Sequence, residues 1–492
     1  MAGKKKDKDV INKTLSVRII RPRYSDDIEK EISDEKAKRK QDGKTGELDR
    51  AFFSELKSRN PDIITNDELF PLFTEIQKNL TEIYNKSISL LYMKLIVEEE
   101  GGSTASALSA GPYKECKARF NSYISLGLRQ KIQSNFRRKE LKGFQVSLPT
   151  AKSDRFPIPF CHQVENGKGG FKVYETGDDF IFEVPLIKYT ATNKKSTSGK
   201  NYTKVQLNNP PVPMNVPLLL STMRRRQTKK GMQWNKDEGT NAELRRVMSG
   251  EYKVSYAEII RRTRFGKHDD WFVNFSIKFK NKTDELNQNV RGGIDIGVSN
   301  PLVCAVTNGL DRYIVANNDI MAFNERAMAR RRTLLRKNRF KRSGHGAKNK
   351  LEPITVLTEK NERFRKSILQ RWAREVAEFF KRTSASVVNM EDLSGITERE
   401  DFFSTKLRTT WNYRLMQTTI ENKLKEYGIA VNYISPKYTS QTCHSCGKRN
   451  DYFTFSYRSE NNYPPFECKE CNKVKCNADF NAAKNIALKV VL

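Results

Sequence analysis

Nowhere in its 492 residues does the chain hold an uninterrupted apolar run of the roughly 20 residues that a membrane-spanning helix needs. The N-terminus, MAGKKKDKDV, lacks the apolar region of a secretory signal, so an intracellular protein is expected. Acidic residues are in short supply: 58 against 90 lysines and arginines, a formal net charge of +32. That excess is several times the roughly 2–8 charges that keep a small domain soluble. It points to a polyanionic partner, nucleic acid first and a membrane surface second. Cysteine is scarce as well, with eight in all, and without a secretory signal a disulfide framework is not expected. The length exceeds the usual single-domain range, which implies several domains.

Four of the eight cysteines form two short pairs, TCHSC (Thr442–Cys446) and ECKEC (Glu467–Cys471). Cys443, Cys446, Cys468 and Cys471 in this pattern read as a four-thiolate zinc site, closed and therefore structural. Unligated thiols are the alternative. His444 reads as a bystander and Cys476 lies outside the pattern. Cys116, Cys161 and His162 are too dispersed to form a second knuckle.

The N-terminal half changes period along its length. Leu15, Val17 and Ile19 alternate toward Pro22, as in a strand. A charged stretch, Glu29–Glu47, reads as loop or solvated helix. With Asn66 as N-cap, a helix is predicted carrying Leu69, Leu72, Phe73, Ile76, Leu80, Ile83, Tyr84 and Leu91 on its apolar face. GGSTASALSAG reads as a linker, and a second helix is predicted over Tyr113–Lys142, its far end basic through Arg137 and Arg138. From Phe144 the period is two, with a hairpin over Phe171–Tyr189 turning at Thr176–Asp179 and strands at Tyr202–Leu207, Tyr252–Arg262 and Trp271–Lys280. This is β-barrel-like material. Thr192–Asn201 and Met223–Gly231, the latter with Arg224, Arg225 and Arg226, read as basic loops suited to phosphate.

Beyond Arg291 strands alternate with helices, an α/β pattern. Paired strands are predicted at Gly292–Val298 and Cys304–Thr307, a strand at Ser386–Met390, a helix at Tyr413–Tyr427 and a strand at Ile429–Ile434. Ile320–Arg342 is a very basic helix with Arg326, Arg330, Arg331, Arg332, Arg336 and Arg339, too dense in like charge unless phosphates neutralise it. On a helix over Glu359–Thr383, Ile368, Trp372, Val376 and Phe379 read as core, as do Trp411 and Tyr413. Asp295 in GGIDIGVSNP sits in an apolar strand where an unpaired carboxylate is costly, between Gly293 and Gly297, which permit close approach of a metal–phosphate group. Glu391 ends SVVNM, and Asp479 opens NADFNAAKNIAL, where an N-terminal cap is the plainer reading. Each acid alone is unremarkable; three in this order are specific.

GIDIGVSNP, VVNMEDLSG, and a four-cysteine ribbon followed by ADFNAAKNIA together resemble the interrupted RuvC nuclease core of TnpB-like transposon proteins and type V CRISPR effectors. The layout is most similar to the miniature type V-F effectors. The motif-level match covers about residues 292–488; the N-terminal half matches in layout only.

The resemblance implies a multidomain α/β plus β-barrel protein. Its parts are a wedge β-barrel (1–21 and 144–285) interrupted by a helical recognition domain (22–143), and an RNase H-like core (286–436 and 477–492). An arginine-rich bridging helix (320–342) lies within that core, and a target-binding zinc ribbon (437–476) interrupts it. It further implies that Asp295, Glu391 and Asp479 bind two catalytic Mg²⁺ ions, that Arg458 lies near the scissile phosphate, and that one zinc is structural. The expected activity is RNA-guided cutting of both DNA strands beside a short flanking motif. A guide RNA, double- and single-stranded DNA, a homodimer on one guide and a prokaryotic cytoplasm complete the expectation. A TnpB-like transposon nuclease, a transposase and a non-catalytic guide-directed binding protein are the alternatives.

Overall fold

A computed structural model describes residues 10–43, 48, 50–97, 105–140, 155–161, 170–195, 201–208, 212–228, 231–264, 268–280, 286–297, 300–315, 318–337, 347–393, 413–461 and 464–489. The chain divides into two compact units, Asn12–Phe279 in one and Met1–Ile11 with Lys280–Leu492 in the other. No helix among the described residues is long and apolar enough to cross a membrane.

In the first unit, β1 (Val10–Pro22) leads into helices α1 (Asp26–Gln41), α2 (Arg50–Arg59), α3 (Asn66–Val97), α4 (Ala105–Arg119) and α5 (Ser122–Glu140). The charged stretch after β1 is thus helical as far as Gln41, and its residues 44–47 lie outside the described residues. α3 starts as expected, but its cap is a Thr65–Glu68 box, with the Thr65 amide donating to Glu68 Oε2 at 3.1 Å, rather than Asn66. Its apolar face is buried from Leu69 to Tyr84. Half of the expected linker belongs to α4, and the expected second helix is two helices. The break falls at Asn121, whose side-chain oxygen accepts from the Ile124 amide at 2.9 Å and starts α5 afresh.

The strands that follow are β2 (Ile158–Cys161), β3 (Lys172–Thr176), β4 (Asp179–Ile187), β5 (Tyr189–Lys195), β6 (Asn201–Leu207), β7 (Pro213–Leu220), β8 (Met223–Thr228) and β9 (Gly231–Lys236). Helix α6 (Glu238–Met248) precedes β10 (Lys253–Arg264) and β11 (His268–Lys280). Seven strands form one sheet in the order β2-β10-β11-β1-β7-β4-β3, a half-barrel whose edge strands β2 and β3 do not pair with each other. In the two basic segments expected as loops, the described residues are arms of hairpins, β5 with β6 and β8 with β9, while 196–200 and 229–230 lie outside the described residues. The side chains of Arg137, Arg138 and Arg224–Arg226 lie outside the described residues, as do Arg339, Trp411 and the side chain of Tyr413.

The second unit is built on β12 (Asn287–Asp295), β13 (Leu302–Val306), β14 (Arg312–Val315), β15 (Ala385–Glu391) and β16 (Ala430–Ile434). Their order is β14-β13-β12-β15-β16. The first three run antiparallel, whereas β15 is parallel to both β12 and β16. Between β14 and β15 come α7 (Asn318–Lys337) and α8 (Ala347–Arg382), the latter starting a dozen residues earlier than its apolar face suggests. Ile368, Trp372, Val376, Phe379 and Phe380 of α8 pack with Met416, Ile420 and Leu424 of α9 (Tyr413–Glu426) against the sheet, as core residues. Helix α10 (Phe455–Glu460), the short strands β17 (Phe466–Glu467) and β18 (Lys475–Cys476), and α11 (Ala478–Leu488) complete the unit.

Gly292 and Gly293 let helices come close to β12. A Cβ on Gly292 would overlap the Phe380 ring of α8, and one on Gly293 would overlap the Ala483 carbonyl and Ala487 amide of α11. Helix seating therefore explains Gly293, in place of the metal–phosphate approach expected from the sequence. At Gly297 a Cβ would stand 2.8 Å from the Asn300 carbonyl oxygen, so that glycine serves the turn after β12.

Candidate active site and zinc centre

Parallel pairing of β12 with β15 sets Gly293 beside Asn389 and Ile294 beside Met390. The next rung brings Asp295 and Glu391 to the same end of adjacent strands. Asp479 arrives from α11, which packs on Gly293 directly beneath. It does not cap that helix: Asn477 does, accepting from the Asp479 and Phe480 amides at 2.9 and 3.1 Å. The carboxylate of Asp479 is thereby left for other work.

Two of the acids are held by neighbours. Asn300 Nδ2 donates to Asp479 Oδ2 at 2.9 Å, and the Arg458 guanidinium lies 3.4 Å from Oδ1. The Thr439 hydroxyl donates to Glu391 Oε1 at 2.6 Å, while Gln417 donates to the Glu391 carbonyl at 2.6 Å. Burial raises the Asp295 carboxyl well above the usual range, and the negative charges of Glu391 and Asp479 push it further; Arg458 opposes them. Burial also raises Glu391, against the Thr439 hydrogen bond and the charge of Lys489. Two acids that burial makes reluctant to ionise, with the Asp479 carboxylate close enough to act on one of them, fit a multivalent cation with oxygen ligands. Asn300 and Thr439 escaped sequence reading because short polar side chains carry no periodic signal.

Arg458 is carried by α10, whose N-cap Thr454 accepts from the Tyr457 amide. Its guanidinium covers the Phe453 ring at 5.6 Å, and its Nε is buried without a partner. On α7, Arg326, Arg330, Arg331, Arg332 and Arg336 are solvent-exposed. No ion pair to a carboxylate engages them among the described residues.

The sulfurs of Cys443, Cys446, Cys468 and Cys471 all lie within 4.8 Å of one another. Cys443 and Cys471 are 3.9 Å apart, Cys446 and Cys468 3.8 Å. A tetrahedron with Zn–S bonds of about 2.3 Å has sulfur–sulfur edges of about 3.8 Å, so the four thiols fit zinc. Among the described residues they are the one set of three or more ligand side chains that closes to this spacing; the three carboxylates do not. His444 serves another purpose, its Nδ1 2.9 Å from Asn481 Oδ1. Cys476 is half-buried beside Arg312 and is not part of the cluster.

Helix α11 joins the two centres. Asn481 Nδ2 and Asn485 Nδ2 both donate to the Thr442 carbonyl, at 2.8 and 2.6 Å, one residue before the first thiol. Lys484 Nζ donates to the Val306 and Gly309 carbonyls at 2.7 and 2.6 Å, closing the β13–β14 turn.

The family model of the Cas12f1-like TNB domain matches residues 413–486, from α9 into α11. A CRISPR-associated endodeoxyribonuclease Cas12f1 of an uncultured archaeon is 40% identical over 98% of this chain and 98% of its own length. The Cas12f1 of Syntrophomonas palmitatica is 30% identical over 70% of this chain and 67% of its own. A cryo-EM structure of a Cas12f1–sgRNA–target DNA complex superposes with a TM-score of 0.78 at 40% identity, covering 97% of this chain and 99% of that one. Similarity of this extent, together with a four-thiol cluster and the ordered acids, means that the chain belongs to the Cas12f1 family of miniature type V-F CRISPR-associated endodeoxyribonucleases.

Proposed function

We propose that the chain is an RNA-guided, Mg²⁺-dependent DNA endonuclease that cuts both strands at one RuvC-like site formed by Asp295, Glu391 and Asp479. The observation that carries this reading is the β12–β15 register, which sets two acids on one rung with Asp479 in electrostatic reach. The strand order β14-β13-β12-β15-β16, antiparallel then parallel, is that expected of an RNase H-like sheet.

In this reading the carboxylates of Asp295, Glu391 and Asp479 hold the catalytic metal. When bound, a pair of Mg²⁺ ions would supply an activated water and charge neutralisation at the phosphate. Arg458, now leaning on Asp479, offsets negative charge on the scissile phosphate. Asn300 and Gln417 keep Asp479 and the end of β15 in place. The zinc is structural, because four thiolates leave no open coordination position.

Base pairing with a guide RNA selects the target, while the protein reads a short flanking duplex motif and the backbone of the hybrid. The exposed arginines of α7 are suited to that backbone. The half-barrel and its helical insert form a wedge and recognition module (1–285), the bridging helix lies within the nuclease core (286–436 and 477–492), and 437–476 form the target-binding ribbon. Two copies of the chain share one guide in the cytoplasm of a prokaryote.

Asp295→Ala tests the site. Guide-RNA and target binding are expected to persist, with cleavage of both strands falling about 10³-fold or more. Cutting at the parental rate by this variant overturns the assignment. Replacing Arg330 and Arg331 with Ala is expected to lower the slope of log affinity against log salt by about 2, one for each phosphate that an arginine no longer neutralises.

A further inference from the structure

We propose that Thr439 is a positioning residue whose hydroxyl fixes the Glu391 carboxylate for cation binding and ties it, through Asn485, to the thiol loop. The proposal rests on the carboxylate site described above. Thr439 and Glu391 are buried, 5% and 7% exposed, and their side chains meet at 2.6 Å. The Thr439 carbonyl accepts from Asn485 Nδ2 at 2.8 Å, and the same nitrogen donates to the Thr442 carbonyl at 2.6 Å. One amide group thus clamps the turn that leads from Glu391's partner to Cys443.

The turn itself is unusual. Tyr438 has a left-handed backbone, φ 64°, which non-glycine residues seldom adopt. The amides of Gln441 and Thr442 both donate to the Tyr438 carbonyl, at 3.1 and 3.0 Å. Strain at one residue persists where the surroundings over-determine it, and here it sets the direction of the next side chain. The Thr439 hydroxyl has a single proton and two acceptors in reach, Glu391 Oε1 at 2.6 Å and the Pro436 carbonyl at 3.1 Å. The shorter contact goes to the carboxylate. This bond fixes the plane in which the remaining Glu391 lone pairs are offered to a cation. Removing partners of this kind, which orient a ligand without touching the ion, typically changes metal affinity or activity about 10–100-fold.

The test uses the full chain bound to its guide RNA, with Thr439→Val, Thr439→Ser and Glu391→Gln. Free Mn²⁺ measured by electron paramagnetic resonance gives cation affinity independently of cleavage, and elemental analysis gives zinc content. Thr439→Val is expected to weaken Mn²⁺ binding about 10–100-fold with zinc and guide binding intact. It is also expected to raise the half-saturating Mg²⁺ concentration for cleavage. Thr439→Ser, which keeps the hydroxyl, is expected to restore both, and adding Thr439→Val to Glu391→Gln is expected to cost nothing further, since the partner is already neutral. Parental Mn²⁺ affinity in Thr439→Val, a full effect persisting in the Glu391→Gln background, or zinc loss as its primary defect would each overturn the proposal. If Asp295→Ala also cuts normally, the carboxylate site itself is wrong; if Asp295→Ala is inactive and Thr439→Val is normal, this inference alone falls.

Discussion

The four thiols and the three carboxylates belong to the same C-terminal unit, yet they are assembled in opposite ways. The sulfurs come from two short loops within one ribbon and close to 4.8 Å or less without help from the sheet. The acids come from β12, β15 and α11, far apart in sequence, and Glu391 and Asp479 are each held by a protein partner. The difference follows from charge. Neutral thiols can crowd together until they lose their protons to a metal, whereas neighbouring carboxylates resist sharing a site unless something positive intervenes. The thiol set can form from one short stretch of chain, whereas the acids come together only once the sheet and α11 have formed.

Disabling the thiol cluster is the strongest way to test this contrast. Cys468→Ser is expected to lose the zinc, whose binding in small thiolate domains is worth about 10–16 kcal/mol at neutral pH. Elemental analysis and limited proteolysis would show an opened ribbon, and cleavage would fall with it because α11 clamps the thiol loop. Unchanged proteolysis would mean that the ribbon core of Phe453 and Phe466 stands without metal.

Next comes the reverse experiment, disturbing the acids while sparing the thiols. Gly293→Ala puts a methyl into the backbone of α11. The expected cost is about 1–3 kcal/mol in urea unfolding of the unit, with zinc retained. A stability unchanged within error would show that α11 does not seat on β12 as described.

The smallest effect concerns protons. Asp295 has a folded-state affinity for its proton raised above that of the unfolded chain. Its contribution is therefore favourable below the ordinary carboxylate range and is lost as pH rises through the elevated folded value. In metal-free protein, Asp295→Asn is expected to raise the melting temperature at neutral pH by about 2–4 °C, the shift produced by ~1 kcal/mol in a unit of this size. The gap should close toward acid pH and on adding Mg²⁺. A variant less stable than the parent at neutral pH, without metal, would contradict the repulsion inferred for the site.

The sequence was most informative where a chemical demand is local. The cysteine spacing, the strand ending in Glu391 and the Thr176–Asp179 hairpin turn could be read directly, since each is set by neighbours in the chain. The three acids were legible as an ordered set, although their meeting depends on strand order and on a parallel register that no short window contains. The break at Asn121 was hidden because Phe120, Ile124 and Leu128 keep helical spacing across it. Of the hairpin β5–β6 only β6 was legible, over Tyr202–Leu207; β5 and the hairpin β8–β9 were hidden because their polar, basic strands lack the alternation that marks a half-buried sheet. Asp479 looked like a cap until Asn477, two residues earlier, proved to occupy that role.

The rung shared by Asp295 and Glu391 also has a bearing on synthesis. Parallel pairing of β12 with β15 joins segments separated by α7 and α8, and such long-range contacts form late because the intervening chain must first be drawn in. Asp479 leaves the ribosome later than both. A nascent chain therefore carries its basic helix α7 into solution well before the three acids proposed as the cutting site can come together.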